Sequence, residues 1–185
     1  TILHHEIESH TTYKPKNDNP NHPLSQDDKE RQMIARENYK LVKDNPHLLT
    51  KIKETIIKQS DHDSFKKLFS KSHLRKKDGK IFVNDHSTIW AAIDLHYYRK
   101  CQNIIILNFA DGINPGGGYK NGRNAQEESL CRQTLLYPSL ERCRSFYEKN
   151  KSIGPQGSDD MIYSENILVI RDDNYKWLQI KDQFE

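Results

Sequence analysis

The sequence predicts an α/β fold, with helices on either side of a parallel or mixed sheet and a helical stretch ahead of it. Three observations carry this. Asp78-Gly79 is a turn signal, and Lys80–Asn84 after it has the pattern of a short strand. Ser87 is a capping type ahead of Thr88–Tyr98, where Ile89, Trp90, Ile93 and Tyr97 fall on one side of a helix. Asn103–Phe109 is then a continuous apolar run, the pattern of a strand buried on both faces. Strand, helix and buried strand in that order make an α/β unit.

Ahead of this unit, residues 1–28 read as a flexible polar arm, with prolines at positions 15, 20 and 23 and almost nothing apolar. His4, His5 and His10 belong to that polar composition rather than to a metal cluster. Residues 29–77 read as a helical extension. Ser25-Gln26-Asp27-Asp28 places capping types and acids before Met33, Ile34, Leu41 and Val42, which recur at helical spacing. Pro46 ends that helix, and Leu48, Leu49, Ile52, Ile56 and Ile57 predict a second amphipathic one. Lys66, Lys67, Lys71, Arg75, Lys76 and Lys77 read as a solvated charged face.

Residues 78–185 form the remaining unit. Past the buried run, a glycine-rich loop leads to a helix beginning near Gln126. Pro138 is expected to interrupt that helix and start another, because proline lacks a donor and clashes one turn back. Ser139–Asn150 then reads as a separate helix, Gly154–Gly157 as a loop and Met161–Ile170 as a strand region.

Composition narrows the function. Only 34% of the 185 residues are hydrophobic and 30% are charged, so the core is expected to be modest. A net charge of +3 is too small for bulk binding of nucleic acid, and any anionic ligand must be recognised locally. Cys101, Cys131 and Cys143 have no metal-ligand spacing, and their odd number argues against a disulfide framework or a disulfide-linked partner. The expected setting is intracellular, cytoplasmic or nuclear. No apolar run reaches the roughly 20 residues that cross a bilayer, so no membrane partner is expected. The chain begins at Thr1 without Met and stops shortly after an apparent strand, which fits a fragment of a longer protein.

The chemistry is concentrated between Ala110 and Glu128. A glycine-rich loop beyond the carboxyl end of a buried strand stands where α/β sheets bind ligands, and Gly116, Gly117 and Gly118 let the backbone approach a phosphate. The spacing is neither a Walker loop nor a dinucleotide fingerprint. Asn124-Ala125-Gln126-Glu127 has the form of a capping box, which alone would account for Glu127. The competing reading is catalytic: paired acids beside an anion-binding loop suit cleavage of a glycosidic bond. Tyr119 stacks on a base or ribose, or packs within the loop. Arg132 reaches a phosphate, or pairs with Glu128 one turn away. Cys131 reads as core, and Trp90 and Trp177 as packing anchors.

Asn108-Phe109-Ala110, then Pro115-Gly116-Gly117-Gly118, then seven residues and Gln126-Glu127-Glu128 resemble the signature of the poly(ADP-ribose) glycohydrolases, especially the shorter microbial type. Ser129–Leu140 and Tyr163–Asp172 resemble that family too. The resemblance implies a macrodomain-like mixed sheet flanked by helices, with ADP-ribose in a cleft at its rim. It implies that Gly116, Gly117 and Gly118 lie against the diphosphate, that Asn108 sits near the distal ribose, and that Gln126 and Glu127 orient ribose hydroxyls. Glu128 would be the general acid and then the base that activates water. The substrate would be poly(ADP-ribose) or an ADP-ribosylated protein, the product ADP-ribose, and neither a metal nor a cofactor would be required. That family continues with further strands and a second glycine-containing loop, and after Asp173 only Asn174–Lys181 and four more residues remain here. An ADP-ribose-binding module without turnover and an inactive fragment are the alternatives.

Overall fold

A computed structural model describes residues 25–61, 81–154 and 156–178. The amino-terminal arm, its histidines and the lysine-rich segment lie outside the described residues, apart from Ser25 onward. Helix α1, Gln26–Asp44, begins within the stretch expected to be arm. Ser25 Oγ accepts from the Asp28 amide at 3.2 Å and the Asp28 carboxylate accepts from the Ser25 amide at 3.1 Å. This reciprocal pair satisfies donors that the first turn would otherwise leave open. Pro46 then opens a 3-10 turn, Pro46–Leu49.

The second helix expected over Leu48–Ile57 does not form. Lys53–Ile57 is strand β1, antiparallel to β2, Met161–Glu165, with Thr55 opposite Tyr163. The β-branched residues there satisfy either period, and the partner strand decides which one is realised. Pairing with β2 ties the extension to the rest of the molecule. Ile52 packs with Leu135 and Ile170, while Ile56 and Ile162 lean on the main core.

Helix α2, Thr88–Ile93, is capped as expected by Ser87, whose hydroxyl accepts from the Trp90 amide at 3.0 Å, and it runs on as a π-helical turn over Asp94–Tyr98. Three helices follow the glycine-rich loop: α3, Gln126–Gln133, α4, Leu136–Arg142, and α5, Arg144–Ile153. Pro138 stands at the start of a new helix, as expected, without itself breaking the one before. It lies in the first turn of α4, where a missing N–H has no intrahelical acceptor to lose. The break falls earlier, at Thr134, which bridges to Val169 and turns its hydroxyl onto Leu130 O at 2.7 Å. Leu130, Cys131, Leu136, Leu140, Cys143, Phe146 and Tyr147 from these helices, with Ala35 of α1, Ile89 of α2 and Tyr119, form the core.

Both apolar strand patterns of the α/β unit correct the sequence reading. Among the described residues β1 and β2 make the only sheet, and neither 81–84 nor 103–109 joins a ladder. The run expected to be buried on both faces is open, with Ile105 80% exposed and Leu107 72%, and so is the shorter segment ahead of it, with Ile81 92% exposed and Val83 93%. No described strand lies beside them to cover those side chains. Between 104–107 and α2 runs an apolar groove of about 310 Å³ lined by Ala91, Leu95, Ile104 and Ile106. No helix among the described residues is long and apolar enough to cross a membrane.

Candidate active site

The first turn of α3 faces back onto the chain that precedes it. Gln126 grips the backbone of the apolar run on both sides, its Oε1 accepting from the Phe109 amide at 2.9 Å and its Nε2 donating to Leu107 O at 2.8 Å. A side-chain amide thereby does for two residues what a neighbouring strand would do. Glu127 accepts from Asn108 Nδ2 at 3.0 Å on one oxygen and from the Asp111 amide at 2.8 Å on the other. Glu128 Oε1 accepts from the Gly118 amide at 2.8 Å. Three consecutive side chains therefore hold three points of one loop.

The capping reading of Glu127 fails on this geometry. The N-cap is Ala125, which offers no side-chain bond, and Asn124 Oδ1 instead accepts from Arg132 at 2.6 Å. Arg132 is completely buried and also donates to Arg123 O at 2.7 Å, so it braces the loop from within rather than meeting a phosphate or pairing with Glu128.

The glycines have steric work that the sequence does not announce. At Gly117, with φ +55°, a Cβ would stand 2.7 Å from Glu128 Oε1 and 3.4 Å from Glu127 Oε2, so the two carboxylates close on this residue. A Cβ on Gly116, with φ +69°, would meet the Tyr137 ring at 2.7 Å. The loop's amides are engaged internally: Gly117 N bonds Asn114 O, Tyr119 N bonds Gly116 O, and Gly118 N serves Glu128.

Tyr119 is packed inside the molecule. Its ring is 3% exposed and packs against Tyr137 at a centroid distance of 4.9 Å, while its hydroxyl accepts from Asn38 Nδ2 at 3.1 Å. Trp90 is half-exposed beside His86, and Trp177 is covered on one face by the Arg171 guanidinium at 3.4 Å. Cys131 is core, and burial drives its thiol well above the usual range.

Electrostatically the site concentrates negative charge. Burial raises the Glu127 carboxyl above its ordinary value and the Glu128 and Asp111 charges add to this, against the two hydrogen bonds it accepts. Burial also pushes Asp111 up, but the amides of Asn114 and Ile113, the Asn114 side chain and the Arg123 charge together hold this carboxyl low. Two buried polar atoms near Glu127, Asn108 Oδ1 and the Tyr147 hydroxyl, have no hydrogen-bond partner among the described residues. Burial and the Glu127 charge push the Tyr147 hydroxyl up. Sequence reasoning missed Tyr147; its only signal was an aromatic on the inner face of an amphipathic helix. No group of three or more His, Cys, Asp or Glu among the described residues is arranged to hold a metal ion.

The chain matches the family model of the microbial-type poly(ADP-ribose) glycohydrolase catalytic domain over residues 27–172. Among solved structures it is similar to the poly(ADP-ribose) glycohydrolase of Thermomonospora curvata, with 26% identity and a TM-score of 0.68 over 82% of this chain and 60% of that one. The same protein bound to the inhibitor ADP-HPD gives 25% identity and a TM-score of 0.66, over 82% and 58% of the two chains. This chain thus spans at most 60% of the length of either of these structures. No curated protein matches it.

Proposed function

The chain belongs to the microbial-type poly(ADP-ribose) glycohydrolase family, and on that premise we propose that it hydrolyses the ribose–ribose O-glycosidic bonds of poly(ADP-ribose), inside the cell, to release ADP-ribose. The observation that carries the assignment of roles is the unequal hydrogen bonding of the two acids. Glu127 has both oxygens committed to the loop, whereas among the described residues Glu128 has only Oε1 committed, to Gly118, and its second oxygen is the one proposed to carry the proton.

In the proposed reaction Glu128 donates that proton to the departing ribose oxygen as the glycosidic bond breaks, and positive character develops at the anomeric carbon. The Glu128 carboxylate then takes a proton from water as the water oxygen bonds to that carbon. The acid is regenerated and one water is consumed. Glu127 stands beside the same glycine and stabilises the developing positive charge while fixing the loop. Asn108 Oδ1, which lacks a partner among the described residues, is the acceptor offered to a ribose hydroxyl.

The diphosphate is assigned to the 116–118 backbone. Loading Glu128 with a proton weakens its hold on the Gly118 amide, since a neutral carboxyl is a poorer acceptor than a carboxylate. That amide is then available to a phosphate oxygen. Gln126 serves here as a clamp on the 107–109 backbone rather than as a ribose ligand, and Tyr119 as packing.

The test is release of ADP-ribose from purified polymer by the 185-residue chain and by its Glu128→Gln variant, with ADP-ribose binding measured by calorimetry. Release by the wild type, with binding but no release by the variant, supports the assignment. Binding without release by the wild type makes the chain a reader of ADP-ribose; a folded chain that does neither refutes the reading.

A further inference from the structure

Helix α1 contributes no hydrogen bond to Glu127 or Glu128, yet much of the loop that holds Glu128 rests on it. Arg31 Nε donates to Gly122 O at 2.7 Å and Gln32 Nε2 to Asn121 O at 3.2 Å. The Asp28 carbonyl lies so close that a Cβ on Gly122 would stand 2.2 Å from it, and Gly122, with φ +77°, closes the turn that begins at Gly118. Asn38, one of two buried residues of the helix, donates to the Tyr119 hydroxyl and to Arg132 O at 2.9 Å in α3 itself. Its side-chain oxygen Oδ1 accepts from Arg171 Nε at 2.9 Å. One helix face thus reaches both the loop and the helix that carry the acids.

We propose that α1 is a positioning element of the site: Arg31 and Asn38 act as positioning residues that hold Gly118–Gly122 in register with Glu128. The proposal rests on the glycohydrolase reading and adds to it a dependence on a helix remote from the bond being broken. The line of force is short. Arg31 and Asp28 pin Gly122, the turn Gly118–Gly122 is closed by the bonds from Asn121 N and Arg123 N to Gly118 O at 2.9 and 3.2 Å, and the Gly118 amide holds Glu128. Arg31 is itself anchored by Asp28 at 2.6 Å. A carboxylate misplaced by a fraction of an ångström loses near-attack geometry even where the fold survives.

The experiment uses the full chain as wild type, Arg31→Ala and Arg31→Lys, with Lys40→Ala as a control for an exposed pair on the same helix. Polymer hydrolysis is measured below the melting temperature, with hydrogen exchange of residues 116–123. Arg31→Ala is expected to lower kcat about tenfold or more with little change in KM, and to speed exchange in 116–123 while β1 and β2 stay protected. Arg31→Lys should recover part of the loss, and Lys40→Ala should match wild type. If Arg31→Ala folds poorly, Gln32→Ala removes a neighbouring bond at a more open position and should give a smaller loss of the same kind. Should the wild type bind ADP-ribose without turnover, affinity replaces kcat as the readout. A variant that melts earlier but keeps wild-type kcat, or affinity, and wild-type exchange in the loop overturns the proposal. If the wild type is active and Glu128→Gln is dead while Arg31→Ala is unaffected, only the role of α1 falls; if the wild type neither binds nor cleaves, the glycohydrolase reading falls and this proposal with it.

Discussion

Two stretches that meet at Asn108 are built in opposite ways. From Asp111 to Gln133 the chain is held by bonds between side chains and backbone, and at Gly116, Gly117 and Gly122 no room remains for one added carbon. From 81 to 83 and 104 to 107 the chain is apolar, outside any described ladder and open to solvent. The difference separates what fixes a site from what completes a fold. Placement of the acids depends on local turns, one brace of buried arginine and α1. At its carboxyl end the apolar stretch is held by Gln126 on Leu107 O and the Phe109 amide, and the relatives of similar structure are longer than this chain.

The strongest way to break the comparison is at a glycine of the packed stretch. Gly122→Ala drives a Cβ into the Asp28 carbonyl at a backbone angle that L residues avoid, and a loss of about 3 kcal/mol is expected in urea unfolding. A variant within experimental error of wild type would mean that α1 and the loop are not in contact. Next comes Arg132→Met, which keeps the stem but leaves Arg123 O and Asn124 Oδ1 without their donor, at about 2 kcal/mol. The same assay reads it.

A pH-dependent effect is expected at Glu127. Its folded carboxyl lies above the unfolded value of about 4.3, so the native state binds more protons and ionisation costs stability as pH rises through the folded value. Relative to Glu127→Gln, the wild type should therefore lose stability as pH is raised from 4 toward neutrality. The fixed cost of the altered hydrogen bonds leaves that slope untouched. A difference that is flat or of opposite slope would show that the acid is not strained by burial. The smallest effect is expected in the open stretch, where Ile105→Lys should change stability by no more than about 0.5 kcal/mol. By sedimentation it should reduce self-association, because an exposed apolar edge invites pairing. A large destabilisation there would mean that Ile105 is covered in solution.

How much of this was legible in the sequence follows the same division. The Ser25–Asp28 signal located α1 because a capping box is local chemistry, and the glycine triplet and Gln126-Glu127-Glu128, set apart in the sequence, come together in the candidate site. Lys53–Ile57 was misread because isoleucines at helical spacing also fill a strand, and its partner lies far along the chain. Residues 104–107 were read as buried because an apolar run reports what a segment wants and not what covers it. Asn124 looked like a cap until Arg132 claimed it. Asn38 left one trace: a polar residue on the stripe of Ile34, Ala35, Leu41 and Val42, where burial demands partners that only the fold supplies.

The central claim is a division of labour between adjacent acids, Glu127 holding the loop and Glu128 exchanging the proton. Its most direct test is a parallel measurement of turnover and thermal stability for Glu127→Gln and Glu128→Gln. Glu128→Gln should abolish polymer cleavage while keeping its melting temperature and ADP-ribose affinity near wild type, and Glu127→Gln should loosen 108–111 and lose binding as well as rate. Cleavage that survives Glu128→Gln but not Glu127→Gln would reverse the roles and contradict the account.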